Sequence, residues 1–216
     1  MGYRTLRNEG SSEFTEKKSV FIGSGRRVET EEEARAFIDR VRSTYKEARH
    51  HVYAYSLGEN ENIQRYSDDG EPQGTGGLPV LDVIRKNGLR NSVIVVTRYF
   101  GGVLLGASGL TRAYIRGASD AIGACGTVER VYGNEVKVKI AYDLLGKFQH
   151  LLREDGIHIE DTAYAEDVEL TLYLEEDRTA WVIARMTEAA SGRLEVSAGE
   201  RSLYYKENNR LYMDIV

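Results

Sequence analysis

One cysteine, Cys125, stands in 216 residues, so no intramolecular disulfide can form and nothing in the chain is built for an oxidising compartment. The lone thiol reads as a small core residue. Long apolar runs are also missing. Stretches such as Val93-Ile94-Val95-Val96 are far too short to span a bilayer, and Met1 to Gly10 hold no apolar segment like that of a secretory signal. The expectation is a soluble, cytoplasmic protein with no membrane partner. No long low-complexity linker interrupts the chain, so two domains would join through a short segment, expected near Gly126 to Gly133. Nor is there a large excess of either charge. With 29 Lys+Arg against 34 Asp+Glu, the net charge of -5 argues against a strongly basic binder of bulk nucleic acid.

What is present supports ordinary hydrophobic cores, because 41% of residues are hydrophobic and 29% charged. The charge is uneven. Residues 1–130 hold 19 Lys+Arg and 17 Asp+Glu, a balance of +2, whereas residues 131–216 hold 10 and 17, a balance of -7. These halves read as different domains, and only the first presents a basic face without much acidic competition.

Ser19-Val20-Phe21-Ile22 is a strand closed by Gly23-Ser24-Gly25. Thr30 followed by Glu33 forms a capping box ahead of Ala34, Phe37, Ile38 and Val41 at helical spacing. His51 to Leu57 alternates as a strand, and Ile63 to Tyr66 pairs back on it as a hairpin. A second helix is expected from Gly77, with Pro79 tolerated in its first turn. Ser92 to Tyr99 is the strongest strand. A third helix follows Gly101-Gly102, with Leu110, Ala113, Tyr114, Gly117, Ala118 and Ala121 repeating at three and four residues. From Val131 the pattern restarts as β-α-β-β-α-β. The fold class is therefore α+β, with a first domain over 1–130 and a ferredoxin-like βαββαβ domain over 131–216.

Several groups could carry chemistry. Asp68, Asp69 and Glu71 lie within four positions on a glycine-bounded loop, which reads as a structural or partner-facing loop more readily than as a hard-cation site. His50 and His51 enter a strand, so their rings face opposite sides and cannot share a metal; His51 with Asp69 and Glu71 remains a candidate general-base group. Gly74 to Gly77 and Gly101-Gly102 with Gly106 to Gly109 each precede a helix and could turn backbone N-H groups to a phosphate, although neither has Walker or dinucleotide spacing. Around the second glycine set stand Arg98, Tyr99, Arg112 and Arg116. Arg116 has Asp120 at i+4 as an ion-pair partner, while Arg112 has no acid one turn away and is the better phosphate ligand. The candidate anion or nucleic-acid site is thus Arg98, Tyr99, Gly101, Gly102, Arg112 and Arg116, with Phe100 as a further base-stacking group.

Three segments carry a family resemblance: Tyr66-Ser67-Asp68-Asp69-Gly70-Glu71-Pro72-Gln73-Gly74-Thr75, Val95-Val96-Thr97-Arg98-Tyr99-Phe100-Gly101-Gly102, and Leu105-Gly106-Ala107-Ser108-Gly109-Leu110-Thr111-Arg112-Ala113-Tyr114. In this order, with Lys17 to Ile22 and Arg49-His50-His51 before them, they closely resemble the IMPACT/YigZ family. Ser108 stands where a glycine is usual and Thr111 where an aliphatic residue is usual. The resemblance implies a first domain with the fold of the second domain of a small-subunit ribosomal protein. It also implies a second domain similar to a ferredoxin-like domain of elongation factor G. Eukaryotic relatives regulate translation under amino-acid starvation through an additional N-terminal domain, and that kinase-linked mechanism is not carried over.

Three functions follow as alternatives. The first is a non-enzymatic regulator of translation that binds structured RNA or the ribosome through the arginine and glycine cluster. The second is an enzyme, either a phosphotransferase cradling phosphate at Gly101 to Gly109 or a hydrolase using His51, Asp69 and Glu71. The third is an interaction module whose partner is a translation factor. No cofactor and no metal is expected.

Overall fold

The computed structural model describes residues 2–214. Three strands, β1 (Tyr3–Leu6), β2 (Gly10–Glu16) and β3 (Ser19–Arg27), precede helix α1 (Glu31–Thr44). The Thr30 hydroxyl caps the helix as expected, accepting from the Glu33 amide, while the Glu33 carboxylate reaches back past the N-cap to the Glu29 amide. Strand β4 (His50–Leu57) pairs with β5 (Ile63–Ser67), then come α2 (Gly77–Lys86), β6 (Ser92–Tyr99) and α3 (Ala107–Cys125).

Strands β2 to β6 make one antiparallel sheet in the order β2-β3-β6-β4-β5. Side chains alternate across it, so the central strand β6 feeds two cores. Ile94 and Val96 pack with Val80, Ile84, Leu110 and Tyr114 of α2 and α3, while Val93 and Val95 pack with Phe37, Ile38 and Val41 of α1. A strand buried on both faces explains the unbroken apolar run that made it the most legible strand. Cys125 is a buried free thiol in the first core, as expected.

The second unit begins in strand β7 (Thr127–Ile140) and continues through α4 (Leu145–Glu154), β8 (Ile159–Tyr164), β9 (Val168–Glu175), α5 (Glu176–Ala189), β10 (Leu194–Glu207) and β11 (Arg210–Tyr212). Its strands run β11-β10-β7-β9-β8, with α4 and α5 burying Phe148, Leu152, Val182 and Met186 on Val136, Val138, Leu170 and Leu172. Order and helix placement are those of a split βαβ unit, with β11 added as a hairpin. By contact density the chain divides between Val128 and Glu129. The stretch Gly126 to Gly133, expected as a joining segment, is instead mostly strand. Gly133 pairs with both Ser202 and Glu175, and a Cβ there would stand 2.5 Å from the Leu174 carbonyl oxygen. Its glycine marks close strand packing, not a break.

Candidate anion-binding site

The acidic loop closes on itself. The Asp68 carboxylate accepts from the amides of Gly74, Gly76 and Gly77 at 2.9, 2.9 and 2.8 Å, and so caps the N-terminus of α2 from outside the helix. The seat that Gly74 to Gly77 offered to a phosphate is filled by the protein's own carboxylate. Asp68→Ala is expected to cost about 2–3 kcal/mol in urea denaturation, since three amides lose a charged acceptor, with Asp68→Asn in between. A loss below about 0.5 kcal/mol would refute the capping role.

Asp69, in the left-handed region at φ 45, accepts from the His51 backbone amide at 2.6 Å and from Arg42 at 2.9 Å. Glu71 turns inward. It takes the Arg98 guanidinium at 2.7 Å and the Tyr114 hydroxyl at 2.7 Å, all three side chains being buried. Burial first, and the Glu71 carboxylate second, push the Tyr114 phenol far above its usual range, so it donates and does not ionise. The three acids therefore point to three different tasks, and no metal-holding group of His, Cys, Asp and Glu occurs among the described residues.

The candidate hydrolase group is not assembled. The His51 ring is buried, with Nδ1 3.0 Å from the Thr97 hydroxyl, and burial holds its pKa below the ordinary histidine value. Asp69 meets the His51 backbone, not its ring, and Glu71 is committed to Arg98 and Tyr114. His50 lies one position earlier, on the other face of β4, with Nδ1 against the Asp69 carbonyl.

Arg98 departs most from the sequence expectation. Only 5% exposed, it is held by Glu71 and Ser19 and stacks between the rings of Phe21 and Phe100, so its guanidinium is not displayed to an outside phosphate. Strand alternation sends it to the α2 and α3 side, where Phe21 is its direct cross-strand neighbour. Tyr99 is half-buried beside it. Gly101 donates its amide to the Ser19 hydroxyl, and a Cβ there would lie 2.0 Å from the Lys18 carbonyl, so the glycine loop is seated directly on the β2-β3 turn. Gly102, at φ 80, faces open space.

Arg112 and Arg116 are exposed, one turn apart on α3, and line a cleft of about 340 Å³ with Phe14, Glu16, Lys17 and Leu105. Arg116 lies over the Phe14 ring at 4.2 Å and reaches Asp120 at 3.4 Å, as its spacing indicated. Arg112 and Lys17 have no side-chain partner among the described residues. Sequence reasoning did not include Lys17 in the site; the fold delivers it from the turn opposite. One sequence signal was present, since Lys17 and Lys18 open the Lys17 to Ile22 segment that shared in the resemblance; in the fold they form a two-residue hairpin turn with φ 45 and 66, a conformation normally given to Asn and Gly. Strained non-glycine residues of this kind cluster at functional sites. The first turn of α3 carries no acid, so its N-terminal dipole adds to the positive field.

These features define a two-domain α+β protein with a cationic, aromatic-floored cleft on its first unit. The chain belongs to the IMPACT family. The family's Impact N-terminal domain matches residues 17–122, and a domain of unknown function, DUF1949, matches residues 138–193. The IMPACT family member YvyE of Bacillus subtilis is 39% identical over 209 residues, covering 97% of this chain and 96% of its own. YigZ of Escherichia coli is 33% identical over 186 residues, covering 85% and 91%. The IMPACT homolog of Dictyostelium discoideum is 41% identical over 96 residues, but these are 27% of that protein. A crystal structure of a hypothetical protein superposes with a TM-score of 0.59 at 30% identity, over 92% of this chain and 98% of the other. No helix among the described residues is long and apolar enough to cross a membrane.

Proposed function

We propose that the protein serves the regulation of translation by binding structured RNA, without catalysis, through the Lys17, Arg112 and Arg116 cleft. The observation that carries this reading is the convergence of three cations from two elements on one cleft, two of them without a carboxylate partner. A cation left unpaired and exposed is free to displace counterions from a phosphate backbone. Phe14 and Leu105 supply an apolar floor, and Glu16 is the only acid on the lining. The family resemblance supports the translational setting, with the ribosome as the natural place to meet structured RNA.

Filter binding to ribosomal and transfer RNA across a salt series tests this. Affinity is expected to fall steeply with salt, and the Lys17→Ala/Arg112→Ala/Arg116→Ala variant should bind at least about tenfold more weakly. Its slope in log affinity against log salt should be shallower by about 1 for each lost phosphate contact. No binding by the unaltered protein, or an unchanged slope in the variant, would sink the proposal. A nucleotide would also bring phosphate to this cleft; saturable heat on calorimetric titration with nucleotide and a divalent cation, without RNA binding, would favour the phosphotransferase alternative.

A further inference from the structure

The sole tryptophan of the chain, Trp181, lies on the outer side of α5 and is 50% exposed. An exposed indole on a helix whose inner face already fills a core with Val182 and Met186 contributes little to folding. Two arginines flank it. The guanidinium carbons of Arg178 and Arg185 stand 6.0 and 5.7 Å from the ring, near the outer limit of cation-π contact, so they frame the indole without sealing it. Both are fixed by Asp155: Arg185 by the carboxylate, Arg178 by the backbone carbonyl.

Arg178 also lines the neighbouring depression with His158 and Arg210, and this continues into a cleft of about 570 Å³ where Arg153 and His158 meet the turn at Asn208 and Asn209. Arg210 is neutralised by Glu160. Arg153 and His158 have no side-chain partner among the described residues, and Arg178 is bonded to a carbonyl, not to an acid. The second unit carries a balance of -7 over residues 131–216, yet three of its ten Lys+Arg, Arg153, Arg178 and Arg210, line the cleft and the depression. Asp177 lies one turn before Trp181, Asp155 neutralises Arg185, and Glu160 and Glu175 line the depression, so the cations left for a ligand here are Arg178 beside the indole and Arg153 in the cleft.

We infer that this surface is a second binding site, for single-stranded RNA, in which an unpaired base stacks on Trp181 while Arg178 and Arg153 hold the flanking phosphates. An aromatic face bracketed by cations suits a base with a free face, which a duplex does not offer. Asn208 and Asn209 stand within the same cleft as donors and acceptors for base edges. The site shares its ligand class with the function proposed above but none of its residues.

The tryptophan is its own probe. Titration of the full chain with a short oligouridylate is expected to quench its fluorescence to saturation, with quenching weakened by salt, whereas a duplex of equal length should quench little. Trp181→Ala should weaken oligouridylate binding by about tenfold in filter assays, Trp181→Phe should restore most of it, and Arg153→Ala/Arg178→Ala should weaken it while flattening the salt slope. Circular dichroism matched to the unaltered protein confirms that each variant is folded. The Lys17→Ala/Arg112→Ala/Arg116→Ala variant should still be quenched, which separates the two sites: failure of the cleft on the first unit leaves this signal intact, and failure here leaves the structured-RNA binding intact. Absence of quenching, equal quenching by duplex, or unchanged affinity in Trp181→Ala would overturn the inference. Quenching by an acidic peptide but not by RNA would overturn it in favour of a protein partner.

Discussion

Arg98→Met is expected to cost about 3–5 kcal/mol of stability in urea denaturation followed by circular dichroism, because it strands the Glu71 carboxylate in a buried site. The pair is 2.7 Å apart, with side-chain exposures of 6% and 4%, and water cannot substitute for the lost partner. Glu71→Ala should cost a similar amount, since it leaves both the Arg98 guanidinium and the Tyr114 hydroxyl without their acceptor. The combined variant Arg98→Met/Glu71→Met/Tyr114→Phe should recover most of the loss, as a buried ion pair replaced by apolar groups of similar volume often comes out neutral or better. If each single change costs less than about 1 kcal/mol, the network is not a buried structural element. The result also decides how binding data on Arg98 are read. A weaker Arg98→Ala protein would show a damaged scaffold, not a lost phosphate contact.

The second large effect is expected at Gly101. An alanine methyl group would meet the Lys18 carbonyl carbon and oxygen at 2.0 Å and the Ser19 amide at 2.5 Å, all of them backbone atoms that cannot swing away. Gly101→Ala should therefore destabilise by about 3 kcal/mol, toward the upper end of overpacking costs, and lift the glycine loop off the turn that presents Lys17. Binding to structured RNA should fall with it. Gly102→Ala is the control: at φ 80 with nothing within 4 Å, it should cost only about 1–2 kcal/mol of backbone strain and leave binding nearly unchanged. Equal behaviour of the two variants in urea titration and filter binding would refute the seating role of Gly101.

The outer cleft and the inner network meet opposite faces of one helix. Tyr114 of α3 is tied to Glu71 and through it to Arg98, while Arg112 and Arg116, two positions to either side, face the cleft. The loop from Tyr66 to Thr75, whose chemistry the residues alone left unassigned, thus adds a buried hydrogen bond to the packed face that orients α3. It supports the cationic face without touching it.

Elements with a strong local code were legible without the fold. The Thr30 and Glu33 cap, the doubly buried strand from Ser92 to Tyr99, the small-residue face of α3 and the βαββαβ order of the second unit depend on hydrogen bonds and periodicities a few residues long. The Arg116 and Asp120 pair was legible for the same reason. The opposite holds for the polar residues of the motifs. Arg98, in an arginine-aromatic-glycine string, looks identical in sequence whether it faces solvent or a buried glutamate, and only the side of β6 on which it falls decides. Asp68 reads as one acid among three until Gly74, Gly76 and Gly77 are folded back over it.

Taken alone, the residues determined the α+β class, the order of most elements, the contrast in charge between the halves and the membership suggested by three ordered motifs, because each is written in local pattern or composition. Tertiary structure decided which charges are spent inside and which remain free. It buried Arg98 against Glu71, filled one glycine seat with Asp68, brought Lys17 across to Arg112 and Arg116, and left Trp181 open between two arginines. Pairing of charges depends on distances between residues far apart in the chain, and those distances exist only once the sheet and helices have packed.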